Sequence, residues 1–154
     1  MDPITGTEIL RTEQKKLRGL CTQAEVMDQR APEMKQGVID ELFDRIIIQF
    51  ALEEEFLLPP LVASMDERNR ELAQQTLALA AEVKGLIHGL QRRGIHQENF
   101  NTGLSILVTT IEQYFRLETE ELFPKIEYEL GSLLYEIGPR IYERRAQYLV
   151  KNVA

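Results

Sequence analysis

Cysteine is almost absent from this sequence of 154 residues, since Cys21 is the only one. A single cysteine excludes an internal disulfide and a cysteine-based metal cluster, and its place in a helical stretch predicts a small buried core residue. Basic residues are also few, because 18 Lys and Arg stand against 25 Asp and Glu and leave a net charge of −7. Phosphate binding needs a basic patch, so this balance argues against nucleic acid as a partner.

Long uninterrupted hydrophobic runs are missing as well. The most apolar stretch, RIIIQFALEEEFLLPPLV, is broken by charge and predicts no membrane span. The opening MDPITGTEIL has neither a basic segment nor an apolar run, which argues against a secretory signal. We therefore expect a cytoplasmic protein with no membrane partner. Its length and its hydrophobic content of 44% predict one globular domain over residues 1–154.

Proline and glycine are sparse, at 6 and 9 residues, and several of them mark the limits of segments with helical periodicity. No segment shows sustained strand alternation or a hairpin signal. Pro59 and Pro60 should kink or end the second helix, whereas Gly94 and Gly131 should close the third and the fourth. The periodicity predicts four long helices, at about 5–28, 33–62, 66–93 and 101–130.

Four long helices joined by short turns predict an all-α protein built as an up-down antiparallel four-helix bundle. A short C-terminal fifth helix, at 132–152, should follow and be interrupted at Gly138-Pro139. This fifth helix should either lie across the bundle or support a dimer.

Two stretches, FALEEEFLLPPL and FRLETEELFPKI, repeat one pattern 65 residues apart, and each carries a glutamate on an apolar stripe. Glu53 follows Gln49, and Glu118 follows Tyr114, in both cases by four residues. This spacing puts each pair on one helix face, toward the bundle axis. A buried carboxylate is costly unless it is hydrogen-bonded, protonated or bound to a cation. Paired glutamates in a bundle core are also the scaffold of carboxylate-bridged metal sites.

Together with LRTEQKKLRGL on the first helix and LALAAEVKGLIHGL on the third, these motifs resemble the hemerythrin-like, or HHE cation-binding, domains. The resemblance spans nearly the whole chain. It implies a four-helix bundle around a non-haem diiron centre, whose glutamates bridge the irons and whose histidines cap them. Members of the family bind oxygen, sense it or handle iron. By the resemblance Glu53 and Glu118 match the bridging carboxylates. The family's histidines match residues without an imidazole: Gln14, Gln49, Ala80 (with Thr76 one turn earlier) and Tyr114.

These replacements change the chemistry expected at the site. Gln14 and Gln49 are weak neutral ligands whose amides can instead donate hydrogen bonds to a carboxylate. Tyr114 can do the same or, as phenolate, bind ferric iron, whereas Ala80 offers no ligand. The remaining histidines are expected elsewhere: His88 as a partly exposed helix residue, and His96 as a loop residue.

Without a cation, Glu53 and Glu118 must share a proton, separate or find a positive partner. Arg45 and Lys84 are the candidates for that partner, unless their side chains point outward. If the two carboxyl groups meet, one should keep its proton near neutral pH. Gln14, Gln49 or Tyr114 should then bond to the ionised one.

Three functions are compatible with these residues. The favoured one is a hemerythrin-like domain that has lost its diiron histidine ligands. It would act as a regulatory or protein-interaction module, without a cofactor or enzymatic activity, and with a protein partner or a second copy as its target. The alternative is a residual cation-binding protein that holds iron or another divalent metal through Glu53, Glu118 and Tyr114. An enzyme using either glutamate as acid or base has least support, because the sequence shows no nucleophile–base pair and no glycine-rich phosphate loop.

Overall fold

The structure, a computed structural model, describes residues 4–27 and 31–153. These residues form seven α-helices and one π-helical turn, with no strand among them, which confirms the all-α prediction. None of the helices is long and apolar enough to cross a membrane. The elements are α1 Gly6–Val26, α2 Pro32–Phe56, α3 Leu58–Val62, α4 Glu67–Arg93, α5 Phe100–Leu117, the π turn Glu118–Leu122, α6 Phe123–Leu130 and α7 Leu133–Val153.

The helix ends follow local sequence signals. Thr5 caps α1 through a capping box. The Thr5 hydroxyl accepts a hydrogen bond from the backbone amide of Glu8, and the Glu8 carboxylate accepts one from the backbone amide of Thr5. Asp66 caps α4. Gly94 ends α4 with a φ of 83°, as predicted, since only glycine adopts such a φ without strain. The predicted end of the first helix, Asp28, lies outside the described residues.

The two proline-ended motifs behave differently in the bundle. The second predicted helix breaks at Leu57, and α3 restarts with Pro59 in its first turn, where a missing N–H costs little. The fourth predicted helix runs on past Pro124, because the π turn before it shifts the backbone ladder. The Phe123 amide bonds the Glu118 carbonyl five residues back, and the chain re-enters α6 with Pro124 near its start.

The predicted interruption of the fifth helix at Gly138-Pro139 is wrong, because α7 runs unbroken through both residues. The lost N–H of Pro139 leaves only the Tyr135 carbonyl without its helical donor, and both residues are exposed to water, which can bond that carbonyl. Gly138 is required for another reason. A Cβ at this position would lie 2.2 Å from the Ile4 carbonyl oxygen, so only glycine lets α7 approach the start of α1.

The bundle pairs α1 with α2 and α4 with α5, and α7 packs along α1 and α2. Its interior holds two apolar clusters, one toward each end of the bundle. Along α1, Leu10 belongs to one cluster and Leu17 to the other, with Gln14 between them. A similar change of cluster occurs near the repeated glutamates, between Phe50 and Leu52 on α2 and between Phe115 and Leu122 in the fourth predicted helix. The bundle therefore has a buried polar layer between two apolar halves.

Candidate functional site

The polar layer brings together side chains from three helices and the π turn. Gln14 comes from α1, Gln49 and Glu53 from α2, Tyr114 from α5 and Glu118 from the first residue of the π turn. All five side chains are buried. Ala80 and Thr76 of α4 lie on the buried face of that helix, and the Thr76 hydroxyl donates to its own helix at Leu72. The sequence-predicted positions other than these two are joined by direct hydrogen bonds.

Glu118 accepts two amide hydrogen bonds, one on each carboxylate oxygen. Gln14 Nε2 donates to Oε1 at 3.2 Å, and Gln49 Nε2 donates to Oε2 at 3.1 Å. Each amide nitrogen also donates to a backbone carbonyl, that of Phe115 for Gln14 and that of Leu10 for Gln49. Because all these partners are acceptors, the NH₂ groups must face Glu118. The two glutamines therefore act as donors to a carboxylate.

Glu53 receives its hydrogen bond from Tyr114, whose hydroxyl donates to Glu53 Oε2. The Tyr114 ring is held in place by an edge-on contact with Phe50, at 4.7 Å between the ring centroids. The other oxygen of Glu53, Oε1, is buried and has no donor from another residue in the part of the chain that the structure describes. The carboxyl groups of Glu53 and Glu118 lie within hydrogen-bonding reach of each other. A proton on Glu53 Oε1 would satisfy this oxygen by donation to Glu118.

The electrostatics assign the proton to Glu53. Burial, followed by the charge of Glu118, raises the pKa of Glu53 well above its ordinary value. Burial also raises the pKa of Glu118, but hydrogen bonds from Glu53, Gln14 and Gln49 act in the opposite direction. Glu118 is therefore the ionised member of the pair. The pKa of Tyr114 is raised well above its ordinary value by burial first, and the charge of the ionised Glu118 acts in the same direction, which keeps the phenol neutral.

A shared proton of this kind makes stability depend on pH. In the unfolded chain both glutamates ionise near the ordinary value of 4.5, whereas the folded chain keeps the Glu53 proton to higher pH. The folded state then binds more protons than the unfolded state, so this contribution is complete below pH 4.5 and is lost as pH rises through the folded pKa. We expect the Glu53→Gln/Glu118→Gln variant to gain stability relative to wild type by up to about 1.4 kcal/mol per pH unit between pH 4.5 and the folded pKa of Glu53, and to gain no more above it.

Urea unfolding of both proteins between acidic and alkaline pH measures this difference directly. Comparing the two proteins cancels the surface carboxylates, which they share. A difference that stays constant with pH would show that neither glutamate carries a raised pKa in the folded state.

The two predicted cationic partners do not reach the pair. Arg45 bonds Glu13 at 2.9 Å and Glu41 at 3.0 Å, and Lys84 bonds Glu54 at 3.2 Å. Both cations pair with other glutamates, so the charge of the buried pair is met by a shared proton and amide dipoles. His88 and His96 are exposed.

A second buried carboxylate, Glu13, was not found by sequence reasoning. Its Oε1 accepts from Arg45 of α2 at 2.9 Å, and its Oε2 accepts from Arg145 of α7 at 3.0 Å. Glu13 is almost fully buried, whereas the arginines keep about a fifth of their side-chain surface in water. These three residues, which we call the arginine clamp, fasten α7 to the bundle. No local sequence pattern marks Glu13 as buried and paired, because both of its partners lie far away in sequence.

Thr119 was also missed. Its hydroxyl donates to Gln14 Oε1 at 3.3 Å and so helps to orient that amide toward Glu118. Cys21 is buried as predicted, and burial raises the pKa of its thiol to about 12, which makes it unreactive.

Within residues 4–27 and 31–153, no three His, Cys, Asp or Glu side chains are placed so that they could hold a metal ion together. The oxygen donors of the polar layer are two carboxyl groups, a phenol and two amides whose nitrogens face the carboxylate.

Comparisons with known proteins place the fold. The chain has a TM-score of 0.82 to the crystal structure of a hemerythrin HHE cation-binding domain-containing protein from Mycobacterium kansasii. That likeness covers 94% of this chain and 87% of the other at 20% identity, so it bears on the fold alone. No functionally curated protein matches the sequence. The model of the hemerythrin HHE cation-binding domain matches residues 5–126. The chain therefore belongs to the hemerythrin HHE cation-binding domain family.

Proposed function

We propose that this protein is a hemerythrin-like domain whose diiron site has become a metal-free hydrogen-bonded layer, and that it works as a binding module rather than an oxygen carrier. One observation carries the proposal. The residues at three of the positions where the resemblance implies histidine donate hydrogen bonds to the two glutamates. Gln14 and Gln49 donate to Glu118, and Tyr114 donates to Glu53.

The donor set does not fit a diiron centre. Two irons need imidazole caps as well as bridging carboxylates, and the layer has no imidazole. An amide whose nitrogen faces Glu118 cannot at the same time turn its oxygen to a metal at that place. The fourth aligned position is Ala80, which has no donor atom. Diiron chemistry is therefore not part of the proposed function.

A single divalent cation is the second candidate, and a specific observation favours it. Two buried acceptors, Glu53 Oε1 and Gln49 Oε1, have no hydrogen-bond partner from another residue. A proton on Glu53 accounts for the first of them, but Gln49 Oε1 has no such explanation. A cation held by Glu53, Glu118 and Tyr114 would use oxygen ligands of the type that hard divalent metals prefer.

Thermal melting with and without chelator separates the two candidates. We expect chelator to leave the melting temperature of the wild type unchanged. We also expect Glu53→Gln/Glu118→Gln to be as stable as the wild type or more stable near neutral pH, because amides keep the hydrogen bonds and remove the buried charge. A resident metal gives the opposite pattern. Chelator would lower the wild-type melting temperature, the variant would be insensitive to chelator, and it would lack the stability that the ion contributes by mass action.

A further inference from the structure

The outer face of α7 has two flanks that run along the helix, one charged and one apolar. Its buried face, around Ile141, packs on the bundle. At about 100° per residue, one flank carries the charged side chains, and it faces α2. Arg144 bonds Glu55 there, and the Arg140 guanidinium lies over the Phe56 ring, 5.4 Å from its centroid.

The opposite flank has no charged member of its own from residue 135 to residue 150. Arg145 borders it, and its guanidinium lies 5.8 Å from the centroid of the Tyr142 ring. Successive members of this flank from Tyr135 to Leu149 are three or four residues apart, and Val150 follows Ala146 by four, which places them in one line along the helix. We call this line the apolar stripe, and its members are Tyr135, Pro139, Tyr142, Ala146, Leu149 and Val150. Ile4 extends the stripe sideways, because Gly138 brings its backbone against α7.

The apolar stripe lies in water to an unusual degree. Tyr135, Tyr142 and Val150 are 50%, 62% and 69% exposed, and Ile4 is 54% exposed. With 150–250 Å² for a whole aromatic side chain, the stripe and Ile4 expose on the order of 500 Å² of apolar surface. Patches of this size on a monomer are commonly interaction sites.

We propose that the apolar stripe is a dimer interface, on which α7 of a second copy packs antiparallel to α7 of the first. Area supports this occupant. Two stripes bury about 1,000 Å² of apolar surface between them, and the surrounding rim raises the total to the size of a stable interface, about 1,200–2,000 Å². The proposal does not depend on whether the polar layer binds a metal.

Charge also favours a second copy. Each chain carries a net charge of −7, so most ways of bringing two copies together oppose like charges. A two-fold interface places the same patch against itself. No member of the stripe is charged, and the Arg145 at its border is already paired with Glu13, so this contact adds little like-charge repulsion. The alternation of large and small residues fits as well. Tyr142 of one copy can enter the space between Pro139 and Ala146 of the other, as a knob enters a hole.

Sedimentation over about a hundredfold range of concentration tests the proposal. The wild type should associate to a dimer, and Ala146→Glu should weaken the dimer at least about a hundredfold, since each interface then buries two new carboxylates. Glutamate is a good helix former, so the substitution leaves α7 intact. The matched control is Ala81→Glu, at an exposed alanine of α4, which should dimerise like the wild type.

Two results would overturn the proposal. One is a wild type that stays monomeric throughout, which would assign the stripe to a different partner. The other is a dimer that Ala146→Glu does not weaken, which would place the contact on another face. If circular dichroism shows that Ala146→Glu unfolds, Tyr142→Ser replaces it. This substitution removes exposed aromatic surface and the contact of the Arg145 guanidinium with the Tyr142 ring, and it must weaken the dimer at least about tenfold.

Discussion

Replacing Gln14 and Gln49 together by leucine should lower the free energy of unfolding by about 4 kcal/mol. Each amide donates to one oxygen of the buried Glu118 carboxylate, at 3.2 Å and 3.1 Å. A hydrogen bond to a charged group contributes about 1.5–3 kcal/mol, and its loss here also leaves a carboxylate oxygen buried without a donor. Leucine is similar in volume to glutamine, so packing changes contribute little.

Making the same two substitutions in a second background tests whether the amides stabilise the fold through Glu118. In a Glu118→Met background the amides have no carboxylate to serve, so their loss should cost much less than in the wild type. Chemical denaturation of the four proteins gives this coupling free energy. Gln74→Leu/Gln91→Leu, at two exposed positions of α4, is the matched control and should change stability by less than about 0.5 kcal/mol. An equal cost in both backgrounds would show that the amides do not act through Glu118.

Removing both arginines of the arginine clamp, as Arg45→Met/Arg145→Met, should destabilise the fold by about 3–5 kcal/mol. Glu13 is almost fully buried, and each arginine bonds one of its oxygens. Without them the carboxylate is left in the interior with no cation. Adding Glu13→Leu should recover most of the lost stability, because the buried charge is then gone as well.

Arg144→Met is the matched control for the clamp. Arg144 lies on the same helix as Arg145 and also pairs with a glutamate, Glu55, but this pair is exposed to water. Exposed ion pairs contribute little, so the control should melt close to the wild type. Failure of Glu13→Leu to recover stability in the double variant would contradict the clamp, because the cost would then come from lost arginine packing.

The positions of the polar layer were predictable because the hydrophobic periodicity of each helix indicates which of its faces is buried. Glu53 and Glu118 interrupt apolar stripes that periodicity alone reveals, and Gln14 and Tyr114 lie on stripes of the same kind. Which donor bonds which acceptor was not predictable. Tyr114 bonds the protonated Glu53 and not the ionised Glu118, because that pairing depends on how the helices are rotated in the bundle.

The arginine clamp and the unbroken α7 could not be found for related reasons. Glu13 lies 32 residues from Arg45 and 132 from Arg145, so no local pattern joins them. Gly138-Pro139 is a strong local break signal, and tertiary packing overrides it, since Gly138 lies against the backbone of Ile4. Arg45 was a candidate partner for the glutamate pair, but its guanidinium pairs with Glu13 and Glu41 instead.

Metal content tests the central claim most directly. Protein purified without chelator should contain far less than one iron or other divalent metal per chain. It should also lack the near-ultraviolet and visible bands of an oxo-bridged diiron centre, because the layer offers no imidazole. Two irons per chain with colour that depends reversibly on oxygen would contradict the account. One metal per chain that disappears in Glu53→Gln/Glu118→Gln would contradict it too, and would establish the single-cation alternative.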